Sequence, residues 1–282
     1  MKTKNHFSGL STLAATILWV VGGFCQASLA GDENFVSADI LNGPERTPAF
    51  VLRDKYRHPS ETLAFFDVQP SMTVVEIWPG SGWYTEILAQ HISEGQLYAA
   101  HFAADSELKY FRESRQFFEE KLKAYPDIYG DVRLAEFSAH TNRLTVPDST
   151  ADRILTFRNV HNWMGGGDEA KAFALFYRAL KPGGILGVVE HRARPGTDWK
   201  TMKKSGYMTE AYVIELAEQA GFVLDASSEI NANPADTTDH PKGVWTLPPT
   251  LRGDKSQRQQ YLAIGESDRM TLRFRKPLGS KP

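Results

Sequence analysis

Thr73-Val74-Val75-Glu76-Ile77-Trp78-Pro79-Gly80-Ser81-Gly82-Trp83-Tyr84-Thr85-Glu86-Ile87-Leu88-Ala89 decides the fold. Thr73 to Ile77 is a short apolar, β-branched run and reads as a buried strand. Pro79-Gly80-Ser81-Gly82 is a tight loop, and Trp83 to Ala89 opens a helix. Glycines at such a junction let the backbone adopt positive φ and come close to a ligand. The free N–H groups at the start of the following helix face the same place. Glu76, ending the strand directly before the loop, makes the pattern more specific than a bare pair of glycines.

Outward from this point the alternation continues. Strands are expected at Gln96–Phe102, Val132–Phe137, Asp152–Phe157, Ile185–Glu190, Phe222 onward and Met270–Phe274. Helices are expected at Ser60–Phe66, Glu107–Ala124, Glu169–Leu180 and Thr209–Ala220, with Thr209 as a cap and Gly221 as a stop. Strand–helix alternation with Gly-rich turns implies an α/β fold: a mostly parallel sheet, helices on both faces, and an antiparallel last strand. Residues 31–70 form a helical lead-in, and 233–265, carrying Pro234, Pro241, Pro248 and Pro249, an irregular insertion in one domain spanning 31–282.

The N-terminus has a different character. Lys2 and Lys4 precede an apolar run from Leu10 to Phe24, and Ser28-Leu29-Ala30 supplies small residues at a cleavage site. This is the pattern of a secretory signal peptide over 1–30, and it implies export, to the periplasm in a bacterium. The run is short for a spanning helix, so no membrane span is expected after cleavage. Cys25, the single cysteine of the 282 residues, leaves with the signal, which excludes disulfides and thiolate metal sites from the mature chain. The 32 basic residues against 34 acidic become 30 against 34, so nothing suggests a nucleic-acid partner.

Glu76-x-x-Pro79-Gly80-x-Gly82 resembles the first motif of Rossmann-like S-adenosylmethionine-dependent methyltransferases. Asp152-x-Ile154-Leu155, Asn159-Val160-His161-Asn162-Trp163 and Phe176 to Gly184 are similar to later motifs of that superfamily. Arg53 to Pro59, Trp78 to Glu86 and Gly265 to Met270 resemble a family of exported bacterial proteins described as predicted methyltransferases. The resemblance implies S-adenosylmethionine as cofactor and a small-molecule or envelope acceptor. It implies cofactor contacts from Glu76, Pro79, Gly80, Ser81, Gly82, Tyr84, His101 and Asn159. Two positions depart from the pattern. Trp78 stands where the first glycine usually lies, and His101 stands at the end of the second strand where a carboxylate is usual.

His161 is the candidate general base, since an imidazole titrates near neutrality, with Asn159 beside it. Methyl transfer relies chiefly on alignment of donor and acceptor. His140, His161, His191 and His240 have no local metal-ligand spacing, so no metal site is expected. The paired carboxylates of glycosidases and a Gly-x-Ser-x-Gly elbow are not evident. A dinucleotide fingerprint would need a third glycine where Thr85 stands. The remaining alternative is an exported, non-catalytic ligand-binding protein on the same fold. The oligomeric state is not legible.

Overall fold

A computed structural model describes Met1 and residues 36–279. The expected signal segment, apart from Met1, lies outside the described residues. Residues 36–279 form one compact unit.

The lead-in comprises α1 (Ala38–Asn42), α2 (Pro48–Val51) and α3 (Pro59–Phe65). Ser37 caps α1 through its side chain, and proline starts α2 and α3, where the missing N–H costs nothing. The body then runs β1 (Thr73–Ile77), α4 (Thr85–His91), β2 (Gln96–His101), α5 (Lys109–Ala124), α6 (Pro126–Tyr129), β3 (Arg133–Ser138), β4 (Arg143–Leu144) and β5 (Ala151–Phe157). It continues through α7 (Val160–Gly166), α8 (Glu169–Ala179), β6 (Leu180–His191), α9 (Trp199–Ser205), α10 (Glu210–Gln219), β7 (Val223–Ser228), α11 (Arg258–Ile264) and β8 (Arg269–Arg275).

The sheet order is β4-β3-β2-β1-β5-β6-β8-β7. Strands β3, β2, β1, β5 and β6 run parallel, while β8 is antiparallel to both β6 and β7. The expected α/β class, with its parallel body and antiparallel last strand, is therefore the observed one. Val74, Val75, Ile77, Ile154 and Leu155 are wholly buried, because strands covered on both faces read as unbroken apolar runs. Two apolar clusters fill the sheet faces, one around Phe137, Trp163, Phe173 and Phe176, the other around Leu63, Phe66, Ile87 and Leu88.

The order reverses between β1 and β5, which leave the centre in opposite directions. Such a switch point opens a crevice at the carboxyl ends of its strands. Helices α6, α7, α9 and α11 and the short edge strand β4 are elements the sequence reading lacked.

The insertion at 233–265 is less irregular than its prolines suggested. It ends in α11 and contains a 3-10 turn at Gly243–Thr246. Asp236 organises its start: Tyr207 Oη and Asp268 N donate to one carboxylate oxygen, His240 Nε2 and Thr238 N to the other. Among the described residues no helix is long and apolar enough to cross a membrane.

Candidate functional site

A cavity of about 460 Å³ occupies the switch-point crevice. Its floor is the β1–α4 junction, with Glu76, Pro79, Gly80, Ser81 and Tyr84 in the wall. Arg158, Asn159 and His161 enter from the end of β5, His191 from the end of β6. The lead-in contributes Phe50, Arg53 and Arg57, and the insertion contributes Val244, Trp245 and Pro248 to Thr250.

Gly80 has φ +61° and Gly82 φ +85°, and a Cβ at Gly80 would meet nothing within 4 Å. Gly80 thus offers bare backbone to open space. Trp78 also has positive φ, 48°, which explains why a glycine is usual there. Its indole lies against Phe102, Phe137 and Trp163, with Nε1 donating to Phe137 O (3.1 Å). The packing of the ring holds a backbone conformation that would otherwise cost about 1 kcal/mol or more. Trp78 also borders a second, more apolar cavity of about 970 Å³, lined by Phe102, Leu108, Phe111 and Trp163.

Glu76 is 2% exposed. One carboxylate oxygen accepts from Thr85 Oγ1 at 2.6 Å, so the residue where a dinucleotide fingerprint would have glycine instead clamps the strand end to α4. Burial pushes the Glu76 carboxyl up to about 7, against the lowering effects of that hydrogen bond and of Lys121. Tyr84 lies flat on Phe157, ring centroids 3.6 Å apart. Asn159 Nδ2 donates to Ile77 O (3.1 Å) and Thr156 Oγ1 (3.2 Å), tying the ends of β1 and β5 together.

His101 is not brought to the cavity wall. Its Nε2 donates to Gly80 O at 3.2 Å and its Nδ1 accepts from Phe102 N at 2.8 Å. Both ring nitrogens are thereby used, so the expected cofactor contact is replaced by a latch under the glycine loop. Burial pushes the imidazole down to about 4. Gly82 also sits behind the wall, where its added Cβ would approach Phe118 at 3.1 Å.

His161 Nδ1 donates to Glu190 Oε1 at 3.0 Å. Glu190 is fully buried and accepts two backbone N–H groups as well, from His191 (2.8 Å) and His161 (3.3 Å). The imidazole is thus fixed in one tautomer, with Nε2 free of any protein hydrogen bond among the described residues. His191 hydrogen-bonds Ser267 Oγ, and burial with the neighbouring His161 and arginines holds it neutral. Local spacing pointed to no metal site, yet His161, Glu190 and His191 place three ligand atoms within 4.8 Å of one another. Glu190 already accepts three N–H groups, so its role in this arrangement is to hold His161.

The sequence reading missed Glu190, Arg158 and Glu266. Glu266 accepts from Arg53 Nε (2.5 Å), from Arg57 Nε (3.2 Å) and from Arg269 Nη2. A signal for it was present: the stretches Arg53–Pro59 and Gly265–Met270 both carried the family resemblance, and this carboxylate joins them.

Residues 75–188 match the family described as "Methyltransferase domain". The sheet order is that of a Rossmann-like fold, and within it residues 75–188 are similar to methyltransferase domains. Among solved structures, the chain is similar to a SAM dependent methyltransferase from Aquifex aeolicus (17% identity, TM-score 0.55, covering 82% of this chain and 94% of that one). It is also similar to the [4+2]-cyclase SpnF (16%, TM-score 0.56, 79% and 82%). A third is geranyl diphosphate C-methyltransferase from Streptomyces coelicolor A3(2) (12%, TM-score 0.56, 86% and 89%). The comparison with curated proteins gives no significant match.

Proposed function

We propose that the protein is an S-adenosylmethionine-dependent methyltransferase acting on a small-molecule or envelope acceptor. The observation that carries this reading is a single cavity with Gly80 and Glu76 at its floor and the Glu190-held His161 in its wall. Gly80 would let the methionine and ribose portion approach the backbone. The Glu76 carboxylate would attract the cofactor's ammonium or sulfonium charge. Donor and acceptor held in line account for most of the rate, and His161 Nε2 would take a proton from an acceptor that has one to lose.

Calorimetry with S-adenosylmethionine and S-adenosylhomocysteine tests the reading, and absence of heat at millimolar ligand overturns it. In Gly80→Asp the new side chain projects into the open cavity, so binding is lost. The fold survives, because no neighbouring atom obstructs a Cβ and the left-handed backbone costs about 1–2 kcal/mol. Retained affinity in this variant would refute the placement.

Export through residues 1–30 is part of the proposal, and a mature N-terminus at Gly31 in the periplasmic fraction checks it. An intact Met1 there rejects cleavage. Export would carry the chain away from the cytosol, where S-adenosylmethionine is made. That, with Trp78 at the glycine position, favours the second reading of a non-catalytic binding protein. Recovery of a different co-purifying small molecule, without methyl turnover, would select it.

A further inference from the structure

The cavity wall carries more positive charge than the protein neutralises. Arg53, Arg57 and Arg158 line it, and Arg269 joins Arg57 and Arg158 around a small adjoining void. Glu266 is the carboxylate that pairs with three of these four. The fourth, Arg158, makes no side-chain hydrogen bond among the described residues, and its backbone sits at φ 63°. Arg57 is only 5% exposed, yet its Nη2, like that of Arg53, is buried without a partner.

Arg158 is only partly exposed, and Glu266 and Glu190 near it are outnumbered by Arg53, Arg57 and Arg269. Crowding like charges away from water is costly, and persistent backbone strain marks a position the surroundings have fixed. Burial and Arg269 push Arg158 down to about 10, so it stays charged near neutrality. Such a surplus calls for an anion. S-adenosylmethionine brings one carboxylate but a net positive charge, so its binding alone leaves the surplus in place.

We propose that Arg158, with Arg57 behind it, binds the carboxylate or phosphate group of a second, anionic ligand. A planar guanidinium suits either group, because its paired N–H donors match two oxygens at once. Naming that ligand the methyl acceptor rests on the methyltransferase reading. The anion site itself does not.

The test is titration of the full mature chain with inorganic phosphate and, separately, acetate, at constant ionic strength, followed by tryptophan fluorescence and thermal shift. S-adenosylhomocysteine binding is measured in parallel by calorimetry. The wild type binds at least one of the two anions, and the tighter one assigns the group as phosphate or carboxylate. Arg158→Gln weakens that binding about tenfold or more and leaves S-adenosylhomocysteine affinity unchanged. Should the neutral variant not fold, Arg158→Lys decides: charge without the fork gives a smaller but measurable loss. No anion binding by the wild type, or undiminished binding in both variants, overturns the proposal. So does a parallel loss of S-adenosylhomocysteine, which would assign the arginines to the cofactor's own carboxylate. Anion binding without any S-adenosylhomocysteine binding upholds the site and removes the methyltransferase reading instead.

Discussion

Glu76 and His101 sit on either side of the glycine loop, and burial acts on them with opposite sign. Glu76 is pushed up to about 7 from 4.5, so the folded state favours its neutral form. Its penalty grows as pH rises from about 4.5 to 7. His101 is pushed down to about 4 from 6.5, so its penalty grows as pH falls from about 6.5 to 4. Each is worth about 3 kcal/mol over its window, and the two largely cancel between pH 4.5 and 6.5. The slope of wild-type stability there is left to the other groups, among them buried His191, whose penalty also grows on acidification. Relative to the wild type, Glu76→Gln makes stability fall more steeply on acidification, while gaining at pH 8. His101→Gln, relative to the wild type, makes it fall less steeply or rise. Urea unfolding of the three proteins at pH 4.5, 6 and 8 checks this. Parallel curves would show that neither group is held as the geometry implies. The same carboxyl predicts tighter cofactor binding as pH rises through about 7, absent in Glu76→Gln.

Elements were largely legible because their signals are local. Thr73–Ile77 is bounded as its β-branched run requires, and α10 begins after Thr209, whose side chain accepts from Tyr212 N. Helix α9 was hidden because its signal, the Asp198 cap, precedes Trp199-Lys200-Thr201-Met202-Lys203-Lys204-Ser205, where only Met202 is buried. Helix α7 was hidden inside a motif read for chemistry. The site was half legible for a related reason. Residues on the β1–α4 junction are contiguous, so the sequence displays them together. Glu190 and His161 are 29 residues apart, and Arg53 and Glu266 are 213 apart, joined only by the sheet order. His101 was placed at the correct strand end, but its partners, Gly80 O and its neighbour's N–H, are backbone groups that no residue pattern announces.

At the scale of the molecule, the cavity is closed by segments from both ends of the described chain, and Glu266 is where they meet. Arg53 and Arg57 come from the lead-in, Arg269 from the start of β8, and Arg269 Nη1 also donates to Tyr56 O at 3.0 Å. A second staple, Glu86 on α4, receives Thr47 N and Oγ1, Arg46 and Lys121. Burial alone would raise the Glu266 carboxyl, but Arg269, Arg57, Arg158 and Arg53 outweigh it and hold it well below the usual range. A depressed carboxyl stabilises above its unfolded value and loses that contribution progressively as pH falls from there toward its folded value. Glu266→Gln keeps the shape and removes the charge, leaving three guanidinium groups crowded without a counter-ion. Removing one partner of a buried pair costs about 3–5 kcal/mol, a drop in Tm on the order of 10 °C for a chain of this size. The loss is greatest near neutrality and shrinks as pH falls below about 4.5. It is accompanied by faster proteolysis within residues 43–58, because the lead-in loses one of its two carboxylate staples. Scanning calorimetry at pH 7 and pH 4, with timed digestion, measures both. An unchanged Tm at pH 7 would mean that the cluster is solvated and does not hold the lead-in.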